Sequence, residues 1–231
     1  MSMSGMQSRA CIRIVSFALA LCKCLKTDIY LAIIHGDVKP KNVLVFGHDS
    51  ETFLARVTDF GYSTRFAGEN LIYMPRSQPW DAPEHHHRGF NPEQAMKMDI
   101  YSFGMLCLWL IFKDELSEPT SLEGLEQKRV CAVFPLQLTE CRSQIILCNL
   151  KLEDHLLQLA NSLITTNSSF DKAQKDNLQI FFASSLARDP ERRCPSVRQL
   201  LSFLDPEAIV AQIPLLTEQE AASIQEEFQV S

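Results

Sequence analysis

One stretch constrains this chain more than any other: His35-Gly36-Asp37-Val38-Lys39-Pro40-Lys41-Asn42, followed at once by the apolar run Val43-Leu44-Val45-Phe46. It reads as a tight polar loop running into a buried strand. The loop holds together an acid, a lysine two residues on and an amide five residues on. That cluster suits phosphoryl transfer. A carboxylate accepts a hydroxyl proton, an ammonium balances charge on the moving phosphoryl group, and an amide oxygen helps hold a magnesium ion.

Further motifs follow in order. Val43 to Phe46 reads as one strand and Phe53 to Val57 as a second, joined by a turn rich in Gly, Asp and Ser. The spacing from Asp37 to Asp59 leaves room for one hairpin, which brings the two acids to one edge. The second strand ends at Thr58-Asp59-Phe60-Gly61. An irregular segment, Tyr62 to Asp81, closes on Trp80-Asp81-Ala82-Pro83-Glu84. The run from Asp99 to Phe112 is apolar on nearly every face after Asp99, so it reads as a helix buried all round. Asp189-Pro190-Glu191-Arg192-Arg193 lies near the end of the patterned region.

These five motifs, in this order, resemble the protein kinase family over residues from about 8 to 205. The loop at 35–42 is similar to the catalytic loop, Asp59-Phe60-Gly61 to the D-F-G motif, Ala82-Pro83-Glu84 to A-P-E, and the helix from Asp99 to the family's central helix. Lys39 two residues after Asp37 matches the serine/threonine form. The resemblance implies a mainly α fold like the kinase C-terminal lobe, with a small β-hairpin carrying the catalytic and metal-binding loops. It implies that Asp37 accepts the proton of the acceptor hydroxyl, Lys39 steadies the phosphoryl group, and Asn42 and Asp59 hold Mg2+. Leu44 would lie under the adenine of ATP. His35 and Phe60 would stack, and Gly61 would let the backbone flex. Ser77 would bond the catalytic acid and lysine. Asp99 would reach back to the backbone of the loop, and Arg193 would pair with Glu84. The implied activity is transfer of phosphate from ATP to protein Ser or Thr.

Two departures stand out. Gly36 occupies the place of an arginine that meets a phosphate on the activation segment in most of the family, so control through such a phosphate is not expected. The second concerns the nucleotide. Thirty-four residues precede His35 and Gly5 is the sole glycine among them. No G-x-G-x-x-G and no strand lysine motif is present. The expected domain is therefore 1–205 as a C-terminal lobe without its N-terminal lobe, followed by a tail at 206–231 with a short helix from Thr217. The ATP cleft would have a floor and no roof, and transfer by the isolated chain would be weak or absent. The alternative is a non-catalytic kinase-like module that binds protein partners, a missing lobe among them.

Composition adds limits. With 46% hydrophobic and 22% charged residues the chain is of globular type. Its net charge of -6 argues against a nucleic-acid partner, which needs clustered Lys and Arg. No apolar run approaches the ~18 residues of a membrane span. The eight cysteines form no C-x-x-C pair and read as buried free thiols, placing the chain in the cytoplasm or nucleus. Arg9, Arg13 and the apolar run after them mimic a signal peptide but fit a helix over 8–26 as well. His85-His86-His87 reads as an exposed run. Lys113 to Glu126 reads as a loop, Gln127 to Leu150 is ambiguous, and Leu152, Leu156, Leu159 and Leu163 share one amphipathic helix. A break at Thr165 precedes a helix around Leu178 to Leu186. Ser196 caps a helix through Leu204.

Overall fold

A computed structural model describes residues 33–47, 53–65, 71–86, 88–117 and 140–204. The expected helix over 8–26, the helix from Thr217 and His87 lie outside the described residues.

Four short strands and six α-helices appear among the described residues, with three short 3-10 turns. Strand β1 is Ile33–Ile34, β2 is Val43–Gly47, β3 is Phe53–Val57 and β4 is Thr64–Arg65. They pair antiparallel as β2 with β3 and β1 with β4. The pairs are nested in the chain: β1, loop 35–42, β2, β3, turn 58–63, β4. The inner register sets Val43 opposite Val57, and the outer sets Ile34 opposite Thr64. Both polar segments are thus clamped between the two pairs. The Thr58 N–H donates to Asn42 O at 2.8 Å and Ser63 Oγ to His35 O at 3.2 Å, one bond at each end of the clamp. The irregular segment after β4 makes one further bridge, Ile72 with Phe90.

Helix α1, Pro92–Ile111, is the centre of the core. It begins seven residues before the Asp99 of the sequence reading. Asn91 caps it, Pro92 sits in its first turn, and Asn91 and Gln94 bond each other's backbone N–H groups. Such a reciprocal cap satisfies two donors that a helix start leaves open. From Ala95 onward most residues are buried, Phe103, Met105, Cys107 and Leu108 completely. A Cβ on Gly104 would come 2.5 Å from Ser185 Oγ and 2.7 Å from its Cβ, so glycine here lets a second helix lie close. That neighbour is α5, Lys172–Ser185, started by a reciprocal cap between Asp171 and Gln174. Phe103 meets Phe181 edge-on at 6.1 Å, and Phe112 lies 6.4 Å from both Phe170 and Phe182. Offset and edge-to-face rings add to the burial of their area.

Several sequence readings are corrected. Lys113–Ser117 is a short helix, α2, where a loop was expected. The ambiguous stretch ends in α3, Glu140–Leu152, and a separate helix, α4, covers Leu156–Thr166. Leu152 therefore does not share a helix with Leu156, and it is 65% exposed. The cause is a helix stop. Asp154 adopts φ 61°, the His155 N–H donates to Leu150 O at 2.8 Å and the Asp154 N–H to Lys151 O at 3.3 Å. That is the paired C-terminal bond pattern that glycine usually supports, with Asp in its place. Helix α4 runs through Thr166, past the expected break, and both Thr165 and Thr166 turn their hydroxyls back onto the helix carbonyls of Asn161 and Ser162. The last helix among the described residues, α6, is Val197–Ser202, with Ser196 Oγ accepting from the Gln199 N–H. Of the histidines expected to form an exposed run, His86 is exposed, but His85 is half-buried, its Nε2 lying 3.1 Å from Met74 O and its ring 5.7 Å from Phe90.

Candidate active site

Asp37 is the buried centre of the site, 5% exposed. A buried carboxylate needs charge compensation and hydrogen bonds. Here both oxygens have them. Ser77 Oγ donates to Oδ1 at 2.7 Å, while Lys39 Nζ and Asn42 Nδ2 donate to Oδ2 at 2.6 and 3.2 Å. Lys39 also donates to Ser77 Oγ at 3.2 Å, closing a triangle of acid, ammonium and hydroxyl. A second bond from Asn42 Nδ2, to Asp37 O at 2.9 Å, turns the nitrogen end of that amide inward. Its oxygen is left as the end available to a cation.

The loop is held from below. Asp99, near the middle of α1, accepts the His35 N–H at 2.7 Å and the Gly36 N–H at 3.0 Å. Gly36 takes φ 81°, and a Cβ there would start 3.1 Å from Tyr62 O. A larger residue would be strained in this conformation, which accounts locally for glycine where an arginine was noted as usual. His35 uses both ring nitrogens. Nδ1 accepts the Asp37 N–H at 3.2 Å, and Nε2 donates to Thr58 O at 3.1 Å. That pairing requires the neutral ring with its proton on Nε2. Burial pushes the His35 pKa below its ordinary value, against the opposing pull of the Thr58 carbonyl. Its ring lies 5.1 Å from Phe60, tilted by 56°.

Asp59 stands at the start of the 3-10 turn Phe60–Tyr62, in the left-handed conformation at φ 63° and ψ 70°. It is exposed, and its side chain makes no capping bond to that turn. Gly61 is exposed within the turn. Thr58 is bonded to Asn42, so Asp59 follows directly on the contact that joins the two loops. Leu44, in β2, is 48% exposed.

The more distant residues form two braces. Arg193, 3% exposed, donates to Glu84 twice, at 2.6 and 2.8 Å, and to the carbonyls of Ala187, Lys97 and Arg188. Its guanidinium lies 4.7 Å over the ring of Tyr101, whose phenol burial pushes up. The second brace was missed by sequence reasoning. Lys151 of α3 donates to Pro79 O, Asp81 O and Asp81 Oδ1 at 2.9, 2.8 and 2.7 Å. It fixes the turn whose first residue is Ser77, since the N–H groups of Trp80 and Asp81 both donate to Ser77 O. No local pattern marks a lysine 70 residues away from its acid.

The protein kinase domain model matches residues 4–203. The chain belongs to the protein kinase family. Relatives include a kinase-like protein of Arabidopsis thaliana, 33% identical over 91 residues, which are 38% of this chain and 12% of that protein. Guanylyl cyclase C of Cavia porcellus is 30% identical over 114 residues, 49% of this chain and 9% of that protein. A G-type lectin S-receptor-like serine/threonine-protein kinase of Arabidopsis thaliana is 31% identical over 112 residues, 47% of this chain and 13% of that protein. The chain thus matches about a tenth of the length of these relatives. Protein kinases use ATP with Mg2+ and act on proteins. The donors present fit such a group: an amide oxygen from Asn42 and an exposed carboxylate from Asp59 are hard oxygen ligands of the kind magnesium takes. Among the described residues no helix is long and apolar enough to cross a membrane.

Proposed function

We propose that this chain carries the acceptor-activating half of a serine/threonine-type protein kinase. The observation that supports this most is the triangle of Asp37, Lys39 and Ser77, with the start of the Asp59 turn bonded to Asn42. Ser77 shows that a serine hydroxyl can donate to Asp37 while accepting from Lys39. A substrate Ser or Thr hydroxyl would use the same carboxylate, and Asp37 would take its proton. Lys39 would offset negative charge next to that oxygen. Asn42 and Asp59 would hold the cation of a bound magnesium nucleotide, which supplies the phosphoryl group. Leu44 would give the adenine an apolar floor. Residues 1–205 are assigned as the C-terminal lobe and 206–231 as a tail. The buried free thiols of Cys107 and Cys194 fit a reducing compartment such as the cytoplasm.

Within these 231 residues no glycine-rich loop covers the phosphates. The chain by itself is therefore expected to transfer phosphate weakly, with the nucleotide-covering elements supplied from elsewhere. The same absence favours the second reading, a kinase-like module that works by binding a protein. Transfer from labelled ATP to a generic protein substrate separates them. The kinase reading expects a weak signal on Ser and Thr that falls about a hundredfold or more in Asp37→Asn, the scale of a lost general base. Transfer that is absent, or untouched by this substitution, would leave the binding module. Robust turnover lost in Asp37→Asn would refute the weak activity.

A further inference from the structure

Lys151 makes more bonds to one turn than charge balance requires. An ammonium has three donors and no acceptor. Lys151 gives all three to the turn at 79–81, at 2.9 Å to Pro79 O, 2.8 Å to Asp81 O and 2.7 Å to Asp81 Oδ1. Ammonium and carboxylate are each 5% exposed at the side chain. The contact with the carboxylate alone would neutralise Asp81. The two carbonyl bonds add direction, because they fix where the backbone of the turn lies relative to α3. Two further contacts of α3 act on the same turn. Cys148 Sγ lies 4.0 Å from Gln78 Oε1. Ser143 Oγ accepts from Trp109 Nε1 at 3.1 Å, and the Trp109 ring stands edge-on to Trp80 at 5.9 Å.

The turn held in this way carries Ser77. The N–H groups of Trp80 and Asp81 donate to Ser77 O at 2.8 and 3.1 Å, so the tripod on residues 79 and 81 reaches the backbone of Ser77 through two bonds. The Ser77 hydroxyl stands 2.7 Å from Asp37 Oδ1. Lys151 spends its three donors on the turn and touches no reacting group itself. It also lies outside the five sequence motifs. We infer that Lys151 is a positioning residue of the acceptor site: from α3 it sets the place of the Ser77 hydroxyl, and through it the direction of the Asp37 carboxylate. The consequence for phosphate transfer rests on the proposed function. The placement of Ser77 rests on the bonds of Lys151 alone.

Amide hydrogen exchange of the full chain, which needs no nucleotide, reads the placement directly. Lys151→Met combined with Asp81→Asn removes the tripod and leaves no bare charge, the most damaging outcome at a buried pair. The amides of Trp80 and Asp81 are expected to exchange about tenfold faster in this double variant, an opening confined to the turn. Those of His35 and Gly36, held by Asp99, should keep their rates. Asp81→Asn alone preserves both carbonyl bonds and should stay within about threefold of the unaltered chain, since a neutral amide oxygen still accepts. Lys151→Arg keeps the cation but replaces the tripod by a planar fork, and it reads the same amides if the double variant does not fold. Unchanged rates at Trp80 and Asp81, equal acceleration at all four amides, or Asp81→Asn matching the double variant would each overturn the inference. Phosphate transfer is read second. The Asp37-dependent signal should fall about tenfold in the double variant with KM for ATP unchanged, and adding Ser77→Ala should cost little more, because residues acting through one another are not additive. Additive losses would show that Lys151 does not act through Ser77. Local opening in a chain with no Asp37-dependent transfer would refute the kinase reading and leave the placement of Ser77 standing. Transfer indifferent to the double variant would do the reverse.

Discussion

Asp37 and Asp59 are the two acids of the site, and they are held in opposite ways. Asp37 is buried and receives donors on both oxygens from Ser77, Lys39 and Asn42. Asp59 is exposed, left-handed, and bonded to none of the turn it begins. The nested strand pairs nevertheless bring their loops together, through Asn42 and Thr58. The difference suits the roles proposed for the two acids. An acid that takes a proton from a positioned hydroxyl must keep a fixed direction, so it is worth packing and bonding in advance. An acid that binds a hydrated cation has to surrender water-facing lone pairs to it, and protein donors would compete. One loop is prearranged by the core, and the other is left open.

The sharpest way to break this comparison is to remove the support of the closed loop. Asp99 alone accepts two backbone N–H groups of that loop. Asp99→Ala leaves both donors without this acceptor in a partly buried place. A loss of about 3 kcal/mol is expected, since charged hydrogen bonds contribute about 1.5–3 kcal/mol each and are not additive. Urea unfolding of the two proteins measures it. A shift below about 0.5 kcal/mol, the range of ordinary surface changes, would show that the loop is fixed by the strands alone.

This contrast also separates what the sequence makes legible from what it does not. His35, Asp37, Asn42, Asp59, Glu84, Asp99 and Arg193 all lie in short motifs whose order points to one family, and Ser77 lies seven residues before Glu84. Spacing alone implies that β2 and β3 join the two acids, because too few residues separate them for anything longer. The outer pair β1 with β4 is not legible, since two-residue strands have no period to read. Helix starts are legible: Asn91-Pro92 with Gln94, and Asp171 with Gln174, are reciprocal caps written in sequence. Lys151 is different. Its acid is 70 residues away and its burial is set by how α3 meets the turn at 77–81.

A smaller effect tests the closed loop through pH. His35 is neutral in its pairing, with Nδ1 accepting and Nε2 donating. Burial lowers its pKa from the ordinary 6.5, while the carboxylates of Asp37 and Asp59 pull it upward. A group whose folded pKa is depressed binds its proton more readily when unfolded. Its contribution is therefore fully present above 6.5 and is lost as pH falls toward and through the folded value. The slope in that window is at most about 1.4 kcal/mol per pH unit for one proton. Stability measured by urea unfolding should rise with pH across it, and His35→Gln should flatten that part of the profile. An unchanged profile in the variant would assign the slope to other groups.

The least effect on stability is expected at Asp59, and that makes it the most discriminating substitution. If the open acid is reserved for a cation, Asp59→Asn removes a ligand and no structural bond. Unfolding in urea should change by no more than about 0.5 kcal/mol, as for a surface residue away from caps and ion pairs. Asparagine also tolerates the left-handed conformation at φ 63°, so the backbone carries no new strain. Binding of Mn2+ in the presence of a nucleotide, followed by the paramagnetic relaxation of water protons, should weaken at least tenfold. The opposite pattern, a destabilised fold with unchanged Mn2+ binding, would make Asp59 a structural residue like Asp99. The division between a prearranged acid and an open one would then be lost.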